Sequence, residues 1–227
     1  MNARERRARL LNEVRGGAGH IHDLADQFRV SPSTIRRDLT LLERDGHVVR
    51  TYGGAVERSV REKNTRNSAE KDEIAQKAAA VIQDGEIVVL DAGTTTGRLA
   101  EHLAHRRLTV VTNGLTAILA LAESMTVELI VLGGRLRQPN AAIVGPTVTE
   151  QLRHIGADRV FLGTDGLSSE RGLCSPSLDQ AHLKYAMLHS ARHAYVLADH
   201  SKVGLEPFSY WTPLDRPHTI VTSSPVI

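Results

Sequence analysis

The 227-residue sequence predicts two folding units of different class: a small helical unit closed by a β-ribbon, then a larger α/β domain. Three observations predict it. Apolar residues recur at helical spacing three times before position 45. A stretch dense in Arg, Glu, Lys, Asn and Ser, from about Glu57 to Ser68, then breaks the apolar pattern. Beyond it, short apolar strands alternate with helical patterns, as in a parallel sheet covered by helices.

Composition bounds the function classes. Hydrophobic residues make up 41% and glycines number 18, enough apolar chain for a real core and unlike disordered, collagen-like or coiled-coil sequences. The single cysteine, Cys174, excludes an intrachain disulfide and a cysteine-based zinc site. The arginine-rich start, Met1 to Arg15, lacks the apolar core of a signal peptide, and runs such as Ala117 to Ala122 are too short to span a bilayer. A cytoplasmic protein with no membrane partner and no cofactor is expected. The net charge of +2 conceals an asymmetry: residues 1–58 hold 11 arginines and 8 acids, +3, while the rest holds 17 cations and 18 acids, −1. Arginine suits bidentate contacts to phosphate and guanine.

Leu10, Leu11 and Val14 mark a first helix, stopped by Gly16 and Gly17. Ile21, Leu24, Ala25 and Phe28 lie at offsets of 0, 3, 4 and 7, one face of a second. Ser31 is a good N-cap, and Pro32 is tolerated at the first helical position because its missing N–H has no intrahelical partner there. The third helix then runs to about Arg44 and Gly46 ends it. Ile35, Leu39 and Leu42 form its buried stripe, which leaves Ser33, Thr34, Arg36, Arg37 and Thr40 off the core. Helix, short turn and capped helix facing outward with hydroxyls and arginines is the geometry of a helix-turn-helix reader of the major groove, here at about residues 20–39. His47 to Ala55 reads as a β-ribbon, a wing that sets Arg50 and Tyr52 against the phosphate backbone.

The string from Val30 to Leu39, with Leu42 to Gly46 and Arg50 to Ala55, resembles the winged helix-turn-helix signature of the DeoR family of bacterial transcriptional regulators. The resemblance implies that Ser31, Ser33, Thr34, Arg36, Arg37, Thr40, Arg50 and Tyr52 face double-stranded operator DNA, and that Asp38 orients a neighbouring arginine. It also implies a homo-oligomer, since paired modules read repeated half-sites.

Residues 59–70 read as a linker and 71–227 as the second domain. Ser68 caps a helix through Ile82, with acids in its first turn where the helix dipole favours them. Strands are expected at Ile87–Asp91, Leu108–Thr112, Val127–Leu132, Arg159–Gly163, Tyr195–Ala198 and Thr219–Thr222. Helices are expected around Thr95–Leu103, Leu115–Ala122, Thr147–Arg153 and Asp179–Ser190. In such sheets ligands bind beyond the carboxyl ends of the strands. The first strand ends in Asp91, Gly93, Thr94, Thr95, Thr96 and Gly97 and enters a helix directly, so glycines, hydroxyls and a helix N-terminus make an anion cradle of phosphate size. It is neither a Walker loop nor a dinucleotide fingerprint. Asn113, Gly134, Arg135, Asp165 and Lys202 follow other strands on the same rim, and the set suits a small phosphorylated sugar.

This half also resembles the DeoR family, in its effector-sensing domain, through Asp91–Gly97, Val110–Gly114, Val131–Leu136, Asp158–Gly166 and Leu197–Gly204. That domain is similar in fold to ribose-5-phosphate isomerase, which implies an anion cradle inherited from a sugar-phosphate site. The sequence departs from the family pattern at Cys174 to Pro176 and at His200. The alternative is a working isomerase, with Asp165 and Lys202 as the acid–base pair. The isomerase resemblance calls for a glutamate in the glycine-rich loop that follows, and Gly172 to Pro176 supplies none. No catalytic residue is expected, and the histidine pairs His102/His105 and His189/His193 are expected to be surface residues on helices, not metal ligands. Together these features predict a repressor of carbohydrate genes whose DNA binding responds to a phosphorylated sugar.

Overall fold

The computed structural model describes residues 2–15, 19–44, 49–51, 54–56, 65, 67–137 and 140–223. The expected helix stops Gly16, Gly17 and Gly46 and the wing residue Tyr52 lie outside that set, as does most of the expected linker.

The first elements are α1 (Ala3–Arg15), β1 (Gly19–His20), α2 (Ile21–Phe28), α3 (Pro32–Arg44), β2 (Val49–Thr51) and β3 (Gly54–Val56). Their order follows from the local signals. Arg29 adopts the left-handed conformation at φ 52° and ends α2, and the Val30 N–H closes back on the Ala25 carbonyl at 3.0 Å. Ser31 then caps α3, its hydroxyl accepting the Thr34 N–H at 3.2 Å. The stripe of Ile35, Leu39 and Leu42 packs with Leu10, Val14, Ile21, Leu24 and Ala25 into a core of its own. The ribbon is three-stranded rather than two: β1 pairs antiparallel with β3, which pairs with β2. Two residues between helices carry no strand pattern, so β1 was not legible.

The remaining elements are α4 (Ser68–Ala80), β4 (Ile87–Leu90), α5 (Thr94–Leu103), β5 (Leu108–Thr112), α6 (Leu115–Leu121), β6 (Val127–Val131), β7 (Arg135–Arg137), β8 (Ala142–Val144), α7 (Pro146–Leu152), β9 (Ala157–Gly163), β10 (Gly166–Ser168), β11 (Gly172–Ser175), α8 (Leu178–His189), β12 (Ala191–Leu197), a 3-10 turn (His200–Lys202), β13 (Tyr210–Thr212) and β14 (His218–Val221). All six expected strands join one sheet, in the order β14-β12-β9-β4-β5-β6, and every pairing in it is parallel.

The inner strands of this sheet read as apolar runs because both faces are covered. Val88, Leu90, Val110 and Phe161 point to one side, where α4, α5 and α6 supply Ile74, Ala78, Leu99, Leu103, Ala117 and Leu121. Val89, Val111, Val160 and Leu162 point to the other, where α7 and α8 supply Val148, Leu152, Leu183 and Met187. Phe161 is fully buried and stacks on Tyr195 with ring centroids 4.9 Å apart. Two small antiparallel units were not expected: the β7–β8 hairpin and the sheet β10-β11-β13. No helix among the described residues is long and apolar enough to cross a membrane.

The expected cap of α4 is displaced by one residue. Ser68 is its first helical residue, and its hydroxyl accepts from the Arg98 guanidinium at 3.0 Å. Asn67 holds the cap position. The expected helical pair His189/His193 is also not formed: α8 ends at His189, and His193 lies on β12. His189 instead meets Asp215 at 3.0 Å.

Candidate functional site

On α3, Ser33, Arg36, Arg37 and Thr40 are exposed at offsets of 0, 3, 4 and 7, and so share one face. The Ser31 hydroxyl lies 2.7 Å from that of Ser33 and 2.9 Å from that of the half-buried Thr34, so three hydroxyls cluster at the helix start. The Thr40 hydroxyl donates to the Arg36 carbonyl at 2.8 Å, one turn back. Arg50 lies on β2; its side chain and all of Tyr52 fall outside the described residues. Asp38 corrects an expectation. It is buried, and its partners are Arg6 at 2.5 Å and Arg7 at 3.7 Å on α1, not the arginines beside it in sequence. Its place on the core-facing side of α3 dictates this: the carboxylate ties α1 to α3.

The second site follows from topology. The chain leaves β4 for β5 and β6 on one side, then returns to β9 on the other, so β4 and β9 flank a switch point where the two connections diverge. A cleft opens there. Ala92, Gly93, Thr94 and Thr95 line it at the start of α5, Gly163 at the end of β9 with Thr164 and Asp165 just after it, and Leu197 at the end of β12 with Asp199 and Lys202 beyond it. Lys71 of α4, Thr116 of α6, and Gln180 and Lys184 of α8 complete the wall with Asn140 and Pro176.

Gly93 precedes α5 in an extended conformation, and the start of that helix, where N–H groups have no intrahelical partner, lines the cleft. Its carbonyl accepts the hydroxyls of Thr96 at 3.1 Å and Thr116 at 2.9 Å. Gly97 permits this approach, since a Cβ there would stand 2.8 Å from the Thr116 Cβ. Beneath the cleft, the buried carboxylate of Asp91 accepts from the Lys184 ammonium, and also from the Gly163 N–H at 3.2 Å. Lys184 donates as well to the Gly163 carbonyl at 2.6 Å. Asp91 and Lys184 thus bolt β4, β9 and α8 together, with the ammonium on the cleft wall. At the far side Asp199 accepts from the Ser201 N–H at 3.1 Å and from Asn67 at 3.0 Å. Burial pushes the Asp199 carboxyl up, but the Ser201 hydroxyl, Lys202, Asn67 and Lys71 outweigh it and hold it below the usual range.

Of the ten residues expected around the effector, Gly93, Thr94, Thr95, Asp165 and Lys202 line the cleft. Asp91 lies under it, and Thr96 turns its hydroxyl into its own helical turn. Asn113, Gly134 and Arg135 are elsewhere. Asn113 is buried at the end of β5, where its amide donates to the Ile143 carbonyl at 3.0 Å and holds the β7–β8 hairpin. Gly134 lets that hairpin meet α7, because a Cβ would stand 2.7 Å from Val148. Arg135 is 73% exposed and faces Asp179 at 3.6 Å. The hairpin is tied to the end of β5 through Asn113 and Gly114, and the three residues are engaged there rather than in the cleft. Lys71, Gln180 and Lys184 were missed, although the signal existed. Lys71 precedes Ile74, Ala75 and Ala78 on the buried face of α4, and Gln180 and Lys184 sit one turn apart on the buried face of α8. A lysine on an apolar stripe needs an anionic partner. Cys174 is buried beside the Phe208 backbone, and burial pushes its thiol up to about 11. It is no nucleophile at neutral pH.

The family described as the DeoR-like helix-turn-helix domain matches residues 6–60, and that described as the DeoR C terminal sensor domain matches residues 66–224. A protein of Escherichia coli O157:H7 named for transcriptional repression of the aga operon is 37% identical over 209 residues, 87% of this chain and 78% of that one. The HTH-type transcriptional regulator FruR of Bacillus subtilis is 36% identical, covering 90% of this chain and 84% of its own. The lactose phosphotransferase system repressor of Staphylococcus aureus is 33% identical, covering 97% and 92%. Among solved structures, ribose 5-phosphate isomerase A of Methanocaldococcus jannaschii aligns with a TM-score of 0.45 and 17% identity, over 60% of this chain and 55% of that one. The eIF2B delta subunit of Chaetomium thermophilum aligns at 0.49 and 15%, over 86% and 64%. The sequence relatives are regulators rather than enzymes, and with both family domains present in order, this chain belongs to the DeoR family of DNA-binding transcriptional regulators.

Proposed function

We propose that the chain is a cytoplasmic repressor of carbohydrate catabolism or transport genes, in which residues 1–58 bind operator DNA, 59–70 link, and 71–227 sense a phosphorylated sugar. Operator contact falls to Ser31, Ser33, Thr34, Arg36, Arg37, Thr40, Arg50 and Tyr52, and the working unit is a homo-oligomer of at least two chains. The observation that carries the sensing role is the convergence of Lys71, Lys184 and Lys202 with the α5 N-terminus in one cleft. Cations and helix N–H groups suit a phosphate. Asp165 and the hydroxyl of Thr94, which line the same cleft, suit the hydroxyls of a sugar.

A thermal-shift screen of pentose and hexose monophosphates against their parent sugars tests this. At about a hundredfold excess over Kd, one phosphorylated sugar should add about 2.7 kcal/mol, roughly 5–10 °C in melting temperature. Its parent sugar should add almost nothing, and Thr94→Asp or Lys202→Ala should abolish the shift. No shift with any phosphorylated sugar, or an equal shift with the parent sugar, would refute the assignment.

A further inference from the structure

An asparagine at a helix start usually has an extended backbone and a side chain that accepts an N–H of the first turn. Asn67 has neither. Its backbone is left-handed, φ 52° and ψ 38°, and its side chain makes no capping bond. Its carbonyl alone receives the Lys71 N–H, at 3.0 Å. The side-chain amide reaches the far wall of the cleft instead, donating to Asp199 Oδ1 at 3.0 Å and to Ser201 Oγ at 3.3 Å. Two more residues at helical spacing follow it. Glu70 Oε2 lies 2.7 Å from His200 Nδ1 and accepts the Ser223 hydroxyl at 3.2 Å, while Lys71 lines the cleft with Asp199 and Lys202. Residues 67 and 70 thus grip the 3-10 turn that forms part of the wall, and Lys71 lines the cleft beside it.

The Asp199 carboxylate is the shared element. One oxygen takes Asn67, the Ser201 N–H and the Ser201 hydroxyl, and its charge is balanced by Lys71 and Lys202. Both lysines line the cleft, so a phosphate bound there would draw on the same two ammonium groups and take countercharge from Asp199, the acceptor of the Asn67 amide. In sequence, the match to the helix-turn-helix domain ends at residue 60 and the match to the sensor domain begins at residue 66, so Asn67 lies next to the junction of the two.

We propose that Asn67 is a positioning residue that couples effector occupancy to operator binding, by linking the start of α4 to Asp199 and the 3-10 turn. The proposal rests on the reading of the cleft as a phosphorylated-sugar site. Asn67→Gly is the clean test, because glycine adopts a left-handed backbone without strain while the side chain with its amide is deleted. Asn67→Asp is the second variant, keeping a residue that tolerates this backbone while facing Asp199 with like charge. The full-length chain is titrated with the pentose or hexose monophosphate that gives the largest thermal shift. Calorimetry reads its affinity; fluorescence anisotropy reads operator affinity with and without it, on a duplex selected from a random pool.

In the wild type, saturation should change operator affinity about tenfold or more, and in both variants less than about twofold, with sugar-phosphate affinity retained. Variants that keep the full wild-type change would overturn the coupling role while leaving the cleft assignment intact. Variants that no longer bind the sugar phosphate would make Asn67 part of the binding site and overturn it too. A wild type that binds no sugar phosphate would overturn the cleft assignment itself, and the coupling with it.

Discussion

Replacing Arg36 and Arg37 together with alanine should weaken operator binding by at least about thirtyfold, since each good guanidinium contact to a base contributes about 1–3 kcal/mol. If the two arginines hold phosphates instead, the slope of log affinity against log salt should also fall, by about one unit for each phosphate no longer neutralised. Folding should be unaffected. Both side chains are exposed, the packed stripe of Ile35, Leu39 and Leu42 is untouched, and alanine is the best helix former. Asp38 is already engaged by Arg6 and Arg7 on α1, so the double variant removes no ion pair that ties the two helices together. A gel-shift titration with wild-type affinity and wild-type salt dependence would rule out α3 as the recognition helix.

Lys184→Ala should be the most damaging change in the second domain. The variant leaves Asp91, with a side chain only 5% exposed, without its ammonium partner. Removing one member of a buried pair costs about 3–5 kcal/mol, because the remaining charge is stranded in a poor solvent. For a domain of this size that is a fall in melting temperature on the order of 10 °C. Asp91→Asn combined with Lys184→Met should recover much of the loss, since neither residue then carries a buried charge. Arg153→Ala is the control: its pair with Glu150 is 72% and 58% exposed, and a surface pair is worth about 0–1 kcal/mol. If urea unfolding placed Lys184→Ala within about 1 kcal/mol of the wild type, the bolt between β4, β9 and α8 would carry no weight in the fold.

Much of this architecture was legible because its causes are local. The inner strands β4, β5, β9 and β12 bury apolar runs on both faces, whereas the edge strands β6 and β14 keep exposed residues and were recognised by their apolar content alone. Their ends were less clear where charge enters the strand. Arg159 near the start of β9 is polar in sequence, yet it pairs with Glu86 at 2.7 Å and the Tyr195 hydroxyl at 2.7 Å, partners supplied by neighbouring segments. The strands β7, β8, β10, β11 and β13 span only three or four residues each, too short to show a period.

The site divided in the same way. Gly93, Thr94 and Thr95 were legible because glycine and hydroxyls beside a helix start have a local meaning. Lys71 and Lys184 reach the cleft from helices distant in sequence, and only the tertiary fold brings them to Asp199 and Asp91. Asn113, Gly134 and Arg135 follow strands of the same sheet but are engaged at the β7–β8 hairpin rather than in the cleft. A strand end alone cannot tell which rim residues reach the cleft.

Coupling between the two halves is most directly measured as the operator Kd of the full-length chain, by anisotropy, across a titration with the stabilising sugar phosphate, its parent sugar and inorganic phosphate. A regulator of the kind described should show a change of about tenfold or more with the sugar phosphate alone, and operator DNA should change the sugar-phosphate Kd by the same factor. Lys202→Ala should bind operator normally and show no change. An operator Kd that stays constant while the sugar phosphate saturates the cleft would contradict the mechanism, because a ligand with equal affinity for both states shifts neither.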